Sequence, residues 1–444
     1  MSERTLDRRP KVEAAIVVHP LRPRAGALRS PEQRLEEAVG LAEALDLKVR
    51  EALLAPVRTA VPATLFGKGK VEELAAMCAG LEIDVVVVDD ALTPVQQRNL
   101  EQAWKVKVID RTGLILEIFA RRARTKEGRL QVELARLGYE RSRLVRTWTH
   151  LERQRGGFGV MGGPGETQIE TDRRLLAEKI ARLKRDLVEV RRTRGLHRSA
   201  RKRTPFPVLA LVGYTNAGKS TLFNRLAEAE VEARDMLFAT LDPTLRAIRL
   251  PGGRPAILSD TVGFISDLPH ELVDAFRATL EEVQEADVIL HVRDISAEET
   301  EAQAADVAAV LDQIGAGAES GRAIVEVWNK IDLLPPEERA TLLERPARRD
   351  GASAPVIAVS AVSGDGCGHL LAFLAGLVDQ GALIEARLAP EEGDALAWLY
   401  RHGRVINRTE DGEGGVHVAV RLDAQALGQF ERQFPAALLH EAAQ

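Results

Sequence analysis

Five short motifs stand in one order between residues 213 and 361, and that order constrains the fold more than any other feature of the chain. They are Gly213-Tyr214-Thr215-Asn216-Ala217-Gly218-Lys219-Ser220, then Phe238-Ala239-Thr240-Leu241-Asp242-Pro243-Thr244, then Asp260-Thr261-Val262-Gly263, then Asn329-Lys330-Ile331-Asp332, and last Ser360-Ala361. An apolar strand, Val208–Val212, feeds the first motif, and Lys219 opens a helix. That is the strand–loop–helix setting a phosphate-binding loop requires. An α/β domain over residues 205–382 is expected around it.

The chemistry of the five motifs converges on a guanine nucleotide. Gly213 and Gly218 allow the backbone N–H groups of the loop to wrap a β-phosphate at the helix N-terminus. Lys219 neutralises the β- and γ-phosphates, and the Ser220 hydroxyl ligates Mg²⁺, with Thr221 following in the same turn. Thr240 is expected to complete the Mg²⁺ ligands and to sense the γ-phosphate, with Thr244 as the alternative. Asp260 holds Mg²⁺ through water, and the Gly263 N–H reports the γ-phosphate. Asp332 can accept from guanine N1–H and N2–H₂, a pair adenine does not offer, so adenine is penalised. Asn329 is expected at the purine edge and Lys330 over the ring. The Ala361 N–H is expected on O6, with Ile331, Ser360 and Val362 beside them. The predicted catalytic set is Lys219, Thr240 and Gly263, with GTP as substrate.

Phe264 departs from the usual pattern. A glutamine after this motif orients the attacking water in many switch GTPases, and phenylalanine cannot. Slow intrinsic hydrolysis is expected until a partner completes the site. Asn216 has two readings, holding a K⁺ ion that acts like an arginine finger or only shaping the loop.

The rest of the chain bounds the partners. Of 444 residues, 45% are apolar and 29% charged, as in soluble globular proteins. No run reaches the roughly 18 apolar residues of a membrane helix, and residues 1–11 lack a signal-peptide core. Cys78 and Cys367 fit no metal spacing. A cytoplasmic protein is expected. Net charge is −5, yet residues 120–203 hold 24 Lys/Arg against 10 Asp/Glu. That segregation marks a polyanion partner, most simply nucleic acid.

Four domains are expected. Residues 1–118 alternate strand and helix patterns, with a capping box at Ser30 and strands near Ala14, Thr64–Gly69, Ile83 and Lys107. Residues 119–204 read as a basic helical hairpin, with a long helix over Leu114–Arg146, a glycine-rich tip at Arg155–Gly165, and a second helix over Thr171–Arg194. In that helix Leu176, Ile180, Leu183, Leu187 and Val190 form an apolar seam. The nucleotide domain follows, and then a small α+β module over 383–444. Gly67-Lys68-Gly69-Lys70 could hold a phosphate at the start of a helix, but a turn with exposed lysines is the favoured reading, and no second nucleotide site is named.

The motifs Gly213–Asn224, Phe238–Thr244, Asp260–Ile265 and Asn329–Asp332, together with Gly162–Arg174 (GGPGETQIETDRR), resemble those of the HflX family, ribosome-associated GTPases related to Era and Obg. The resemblance covers nearly the whole chain. It implies binding to the large ribosomal subunit and splitting or rescue of stalled ribosomes under stress. Hydrolysis stimulated by the ribosome is expected, from a monomer, and no membrane partner is expected because the sequence holds no lipid-binding helix or spanning segment. The positive hairpin fits ribosomal RNA independently, because phosphate neutralisation needs no sequence. Two other readings stand beside it: an RNA-binding or ribosome-silencing protein with nucleotide only as regulator, and a GTPase acting in tRNA modification.

Overall fold

Strands β1 (Ala14–Leu21), β2 (Lys48–Pro56), β3 (Val85–Val88) and β4 (Lys107–Asp110) form a parallel sheet in the order β2-β1-β3-β4. The valine run of β3 explains its central place. Successive side chains leave opposite faces, so Val85 and Val87 enter one apolar cluster and Val86 and Val88 another. Helices α1 (Pro31–Glu43) and α4 (Arg111–Arg122) pack on the first face through Leu41 and Leu114; α2 (Lys68–Gly80) and α3 (Pro94–Trp104) pack on the second through Leu74 and Leu100. Ser30 and Thr93 start α1 and α3 with reciprocal boxes to Gln33 and Gln96. The expected strand at 64–69 is absent. Val61 and Leu65 make an isolated bridge there, and the fourth strand is β2, a half-exposed edge whose pattern is irregular.

The computed structural model describes residues 12–22, 29–154, 164–201, 206–228, 237–238, 240–241, 243–266, 277–344, 354–378, 382–410, 415–422, 424–435 and 437–441. The expected glycine-rich tip therefore lies outside the described residues except for Pro164 and Gly165. Those two open a helix.

The single basic helix expected over 114–146 is two helices. α4 stops at Arg122, Ala123 is extended, and α5 (Lys126–Gln154) begins where the Thr125 hydroxyl accepts the Gly128 N–H at 2.9 Å. α6 (Pro164–Arg201) returns along α5, longer at both ends than its seam suggested. Leu137 of α5 packs on Ile180 and Leu183, with Leu130, Leu134 and Leu176 around them, and Lys179 pairs with Glu133 at 2.8 Å.

The central sheet has the order β10-β9-β8-β5-β7-β6, from β5 (Val208–Gly213), β6 (Thr244–Leu250), β7 (Arg254–Asp260), β8 (Val288–Asp294), β9 (Ala323–Asn329) and β10 (Val356–Ala358). Only the edge pair β6–β7 is antiparallel among these. α7 (Lys219–Ala227) and a C-terminal helix (Cys367–Val378) cover one face. On the other face lie helices Arg277–Glu285 and Thr300–Gln313, and here the apolar cluster does not stop at the sheet. It runs on through Tyr214, Phe238, Val262 and Phe264 into Leu41, Leu114 and Phe119 of the first domain.

Strands β11 (Ala382–Leu388), β12 (Arg404–Glu410), β13 (Val416–Leu422) and β14 (Leu438–Glu441) make an antiparallel sheet in the order β12-β13-β11-β14. Helices Gly393–His402 and Ala424–Gln433 intervene in a β-α-β-β-α-β order. Trp398 and Phe430 meet at 5.3 Å in its core.

Candidate nucleotide site and its docking to the first domain

Strand β5 ends in a loop whose glycines are required sterically. A Cβ on Gly213 would lie 2.2 Å from the Val292 carbonyl oxygen, and one on Gly218 (φ 87°) would lie 2.3 Å from Asn329 Nδ2. Asn216 turns the loop in the left-handed region at φ 60°. Ala217 and Thr215 are buried, and Thr221 is half-buried in the first turn of α7. Lys219 Nζ donates to the carbonyls of Gly213 (3.1 Å) and Tyr214 (2.7 Å). Burial pushes its pKa down to about 8, opposed by Asp260.

Three oxygens meet beside it. Ser220 Oγ lies 2.8 Å from Asp260 Oδ2 and 2.9 Å from Thr240 Oγ1, which itself donates to Asp260 Oδ2 at 3.0 Å. Thr244 instead starts β6, in register with Asp260. Burial raises the Asp260 pKa against the pull of Lys219, and its Oδ1 is buried without a hydrogen-bond partner. An orphaned carboxylate oxygen next to two converging hydroxyls is a hard, all-oxygen donor set that suits Mg²⁺.

The Asp260–Gly263 motif leaves β7 along the loop. Thr215 N–H donates to Phe264 O (2.7 Å) and Phe264 N–H to Gly213 O (3.1 Å). A Cβ on Gly263 would lie 2.9 Å from Thr215 Cα, so only glycine permits this approach. Thr261 donates to Leu211 O at 2.6 Å, and Val262 is buried. The Phe264 ring is itself buried in the shared apolar cluster.

At the base end, three of the expected residues make contacts within the protein. Asn329 Nδ2 donates to Ala217 O (2.9 Å) and its Oδ1 accepts the Ala361 N–H (3.0 Å). The Ala361 N–H is thereby engaged within the protein. Lys330, held at φ 65°, pairs with Asp294 at 2.7 Å. Asp332 sits in the turn Ile331–Leu333, and Ser360 Oγ donates to its Oδ1 at 2.6 Å. Ile331 is buried and Val362 exposed. A short side chain at a strand end finds protein partners before ligand, which a motif cannot reveal. Ala239 and Asp242 lie outside the described residues, and Leu241 is buried.

The residues that the motifs did not disclose come from the first domain. Phe119 of α4 meets Phe238 edge-on at 4.8 Å, and a Cβ on Gly40 of α1 would touch Leu237 at 3.3 Å. The Tyr214 hydroxyl accepts from Arg29 Nη1 (2.8 Å) and from the Ser266 N–H (2.8 Å), and donates to Glu37. Ser266 Oγ donates to Glu37 Oε1 at 2.7 Å, while Arg111 donates to Ser266 O (3.1 Å), Ser266 Oγ (2.9 Å), Glu37 and Asp89 Oδ1 (2.6 Å). Burial disfavours the Arg111 charge, but Asp89 and Glu37 outweigh it and hold the guanidinium protonated. The preceding residue, Asp110, faces the other way. It accepts from Tyr139 (2.7 Å) and Arg143 (3.1 Å) of α5 and caps α4 at the Gly113 N–H.

This loop, sheet order and oxygen triad define a P-loop nucleotide-binding protein of the GTPase class. Profiles of one family match in succession: "GTP-binding GTPase N-terminal" over residues 32–120, "GTP-binding GTPase Middle Region" over 122–201, "50S ribosome-binding GTPase" over 208–330 and "HflX C-terminal domain" over 345–441. The chain is 51% identical over 421 residues to GTPase HflX of Magnetococcus marinus, covering 94% of each, and 42% identical over 407 residues to GTPase HflX of Escherichia coli, covering 90% of this chain and 92% of that one. A solved GTP-binding protein of Sulfolobus solfataricus in complex with GDP is similar at 24% identity and TM-score 0.45, over 83% of this chain and 99% of that one. The chain belongs to the HflX family and is a GTPase that binds GTP. Among the described residues no helix is long and apolar enough to cross a membrane.

Proposed function

We propose that this GTPase acts on the large ribosomal subunit, as a cytoplasmic monomer, and splits or rescues stalled ribosomes under stress. The observation that carries the reading is the back-to-back pair Asp110–Arg111. One residue holds the basic α5 arm and the next holds the segment after Gly263. A positively charged arm suits RNA phosphates, and the match to a 50S ribosome-binding GTPase profile agrees with it.

In this reading Gly213 to Thr221 cradle the phosphates, and Lys219 carries the charge to the β–γ bridge. Ser220 and Thr240 would hold Mg²⁺, with Asp260 acting through water. When bound, the ion would supply charge neutralisation for the phosphate oxygens. Water attacks the γ-phosphorus in line, the bond to the β–γ bridging oxygen breaks, and GDP and phosphate leave. Thr240 and the Gly263 N–H lose their γ-phosphate contacts at that step. Asp332, fixed by Ser360, selects guanine. Asn216 is the residue that would hold K⁺. Phe264, buried, offers nothing to the attacking water, so the ribosome is expected to order it.

Steady-state GTP hydrolysis at fixed salt, with and without purified large subunits, tests this. Stimulation of about 10-fold or more, accompanied by splitting in sucrose gradients, supports the proposal. Intact GTP binding with no stimulation favours the alternative that Phe264 suggests, a ribosome-silencing lock with nucleotide as regulator. Stimulation by tRNA instead points to tRNA modification.

A further inference from the structure

The last turn of α7 carries a side chain that none of the motifs contains. Arg225 Nε donates to the Ala361 carbonyl at 3.1 Å, and its Nη2 donates to the Val362 carbonyl. Both carbonyls belong to the loop that presents Ser360 to Asp332. The Arg225 guanidinium also stands 3.8 Å from where a Cβ on Gly364 would lie, so the arginine runs along that loop. We infer that Arg225 is a positioning residue for guanine selection. It holds the loop over 360–364 at a fixed distance from the phosphate-binding helix. The inference rests on the base-site reading given above.

The covalent and hydrogen-bonded path explains why one arginine matters. The loop's Ala217 carbonyl is tied to Asn329, Asn329 to the Ala361 N–H, the Ala361 carbonyl to Arg225, and Arg225 through α7 back to Lys219. Arg225 lies six residues beyond Lys219. That is about 9 Å along the helix axis, at about 1.5 Å per residue. The ring therefore spans the phosphate end and the base end with rigid pieces: a helix, a planar guanidinium and planar peptides. Two donors on neighbouring carbonyls fix the relative rotation of the Ala361–Val362 and Val362–Ser363 peptides, which one donor cannot do. Ser360 and the peptides beside it set where the Asp332 carboxylate and the loop's edge meet a base. Removing Arg225 leaves the phosphate contacts in place and lets that edge drift.

The test is equilibrium binding of GDP and ADP to the full chain, by competition against a fluorescent GDP, for Arg225→Ala, Arg225→Gln and Arg225→Lys, with kcat and KM for GTP. Arg225→Ala is expected to weaken GDP about 10-fold, as loss of two hydrogen bonds would, and to leave ADP within about 2-fold, because its phosphate contacts remain. The GDP-over-ADP preference narrows accordingly. KM for GTP rises while kcat at saturation changes little. Arg225→Gln, with one donor left, falls between, and Arg225→Lys restores less than half of the loss because it lacks the fork. An unchanged preference in folded Arg225→Ala overturns the inference. So does equal weakening of GDP and ADP, which would make the arginine merely structural. If Arg225→Ala melts at assay temperature, the Arg225→Gln preference decides on the same criterion. Asp332→Asn separates the two levels: if it leaves GDP selection intact, the base-site reading itself fails, whereas a shifted preference there with unshifted Arg225 variants sinks this inference alone.

Discussion

The proposed base end of the nucleotide site is held by its own domain, through Asn329, Ser360 and Arg225, whereas the proposed γ-phosphate end is held from outside, through Phe119, Glu37, Arg29 and Arg111 of the first domain. The base is the same in GTP and GDP, so its reader can be rigid and local. The γ-phosphate changes during turnover, and its proposed readers lie against a second body that could register the change. Apolar contact supplies most of that docking and gives it little direction. The buried Arg29–Glu37–Arg111 network supplies direction, because a half-satisfied network of charges is strongly disfavoured.

This contrast can be broken at either end. The largest effect is expected from Phe119→Ala, which empties a ring-sized space against Phe238. It should lower unfolding free energy by about 3–5 kcal/mol in urea titration while leaving the GDP-over-ADP preference of the folded protein unchanged. A shifted preference would mean that the base end is not self-contained. Lys219→Ala removes the floor common to both ends and is expected to weaken GTP and GDP alike by about 100-fold, read by fluorescent-nucleotide titration.

Tyr214→Phe removes one hydroxyl that serves Ser266, Arg29 and Glu37. The expected cost is about 1–3 kcal/mol, appearing as a changed GTP-to-GDP affinity ratio with unaltered base choice; equal ratios in variant and parent would detach the network from γ-phosphate sensing. A pH effect follows from Lys219. With its pKa pushed down to about 8, it is charged below that value and neutral above it before nucleotide binds. Phosphates favour the charged form and raise the pKa on binding. Affinity therefore falls as pH rises past 8, by up to about 10-fold per unit. Calorimetry in buffers of different ionisation heat should detect proton uptake there, and its absence would place the charge elsewhere. The smallest change is expected from Lys179→Ala on the arm. That half-exposed pair with Glu133 contributes at most about 0.5 kcal/mol, measurable by thermal melting.

Much of the central sheet was legible because its motifs sit at strand ends. A glycine required by a 2.2 Å approach is visible as a letter. The capping box at Ser30 and the seam at Ile180 and Leu183 were legible because both are local patterns with a period. The break between α4 and α5 was missed because Thr125 looks like any polar residue in a basic helix. The protein contacts of Asn329 were not legible for a related reason. Its motif gives its identity but not the competition between Ala217, Ala361 and a ligand for its amide. Nothing local marks Glu37 or Arg29 as neighbours of Tyr214, since those pairs are 177 and 185 residues apart. Such contacts are decided by how two finished domains meet.

The back-to-back pair at the end of β4 has a mechanical consequence. Asp110 is a fulcrum and α5 a beam: from Tyr139 to Gln154 the helix extends about 22 Å at about 1.5 Å per residue. A tilt of about 10° at the fulcrum sweeps the far end of that beam through about 4 Å, roughly the width of a side chain. A displacement too small to disturb the first sheet would thus be magnified toward the far end of the arm.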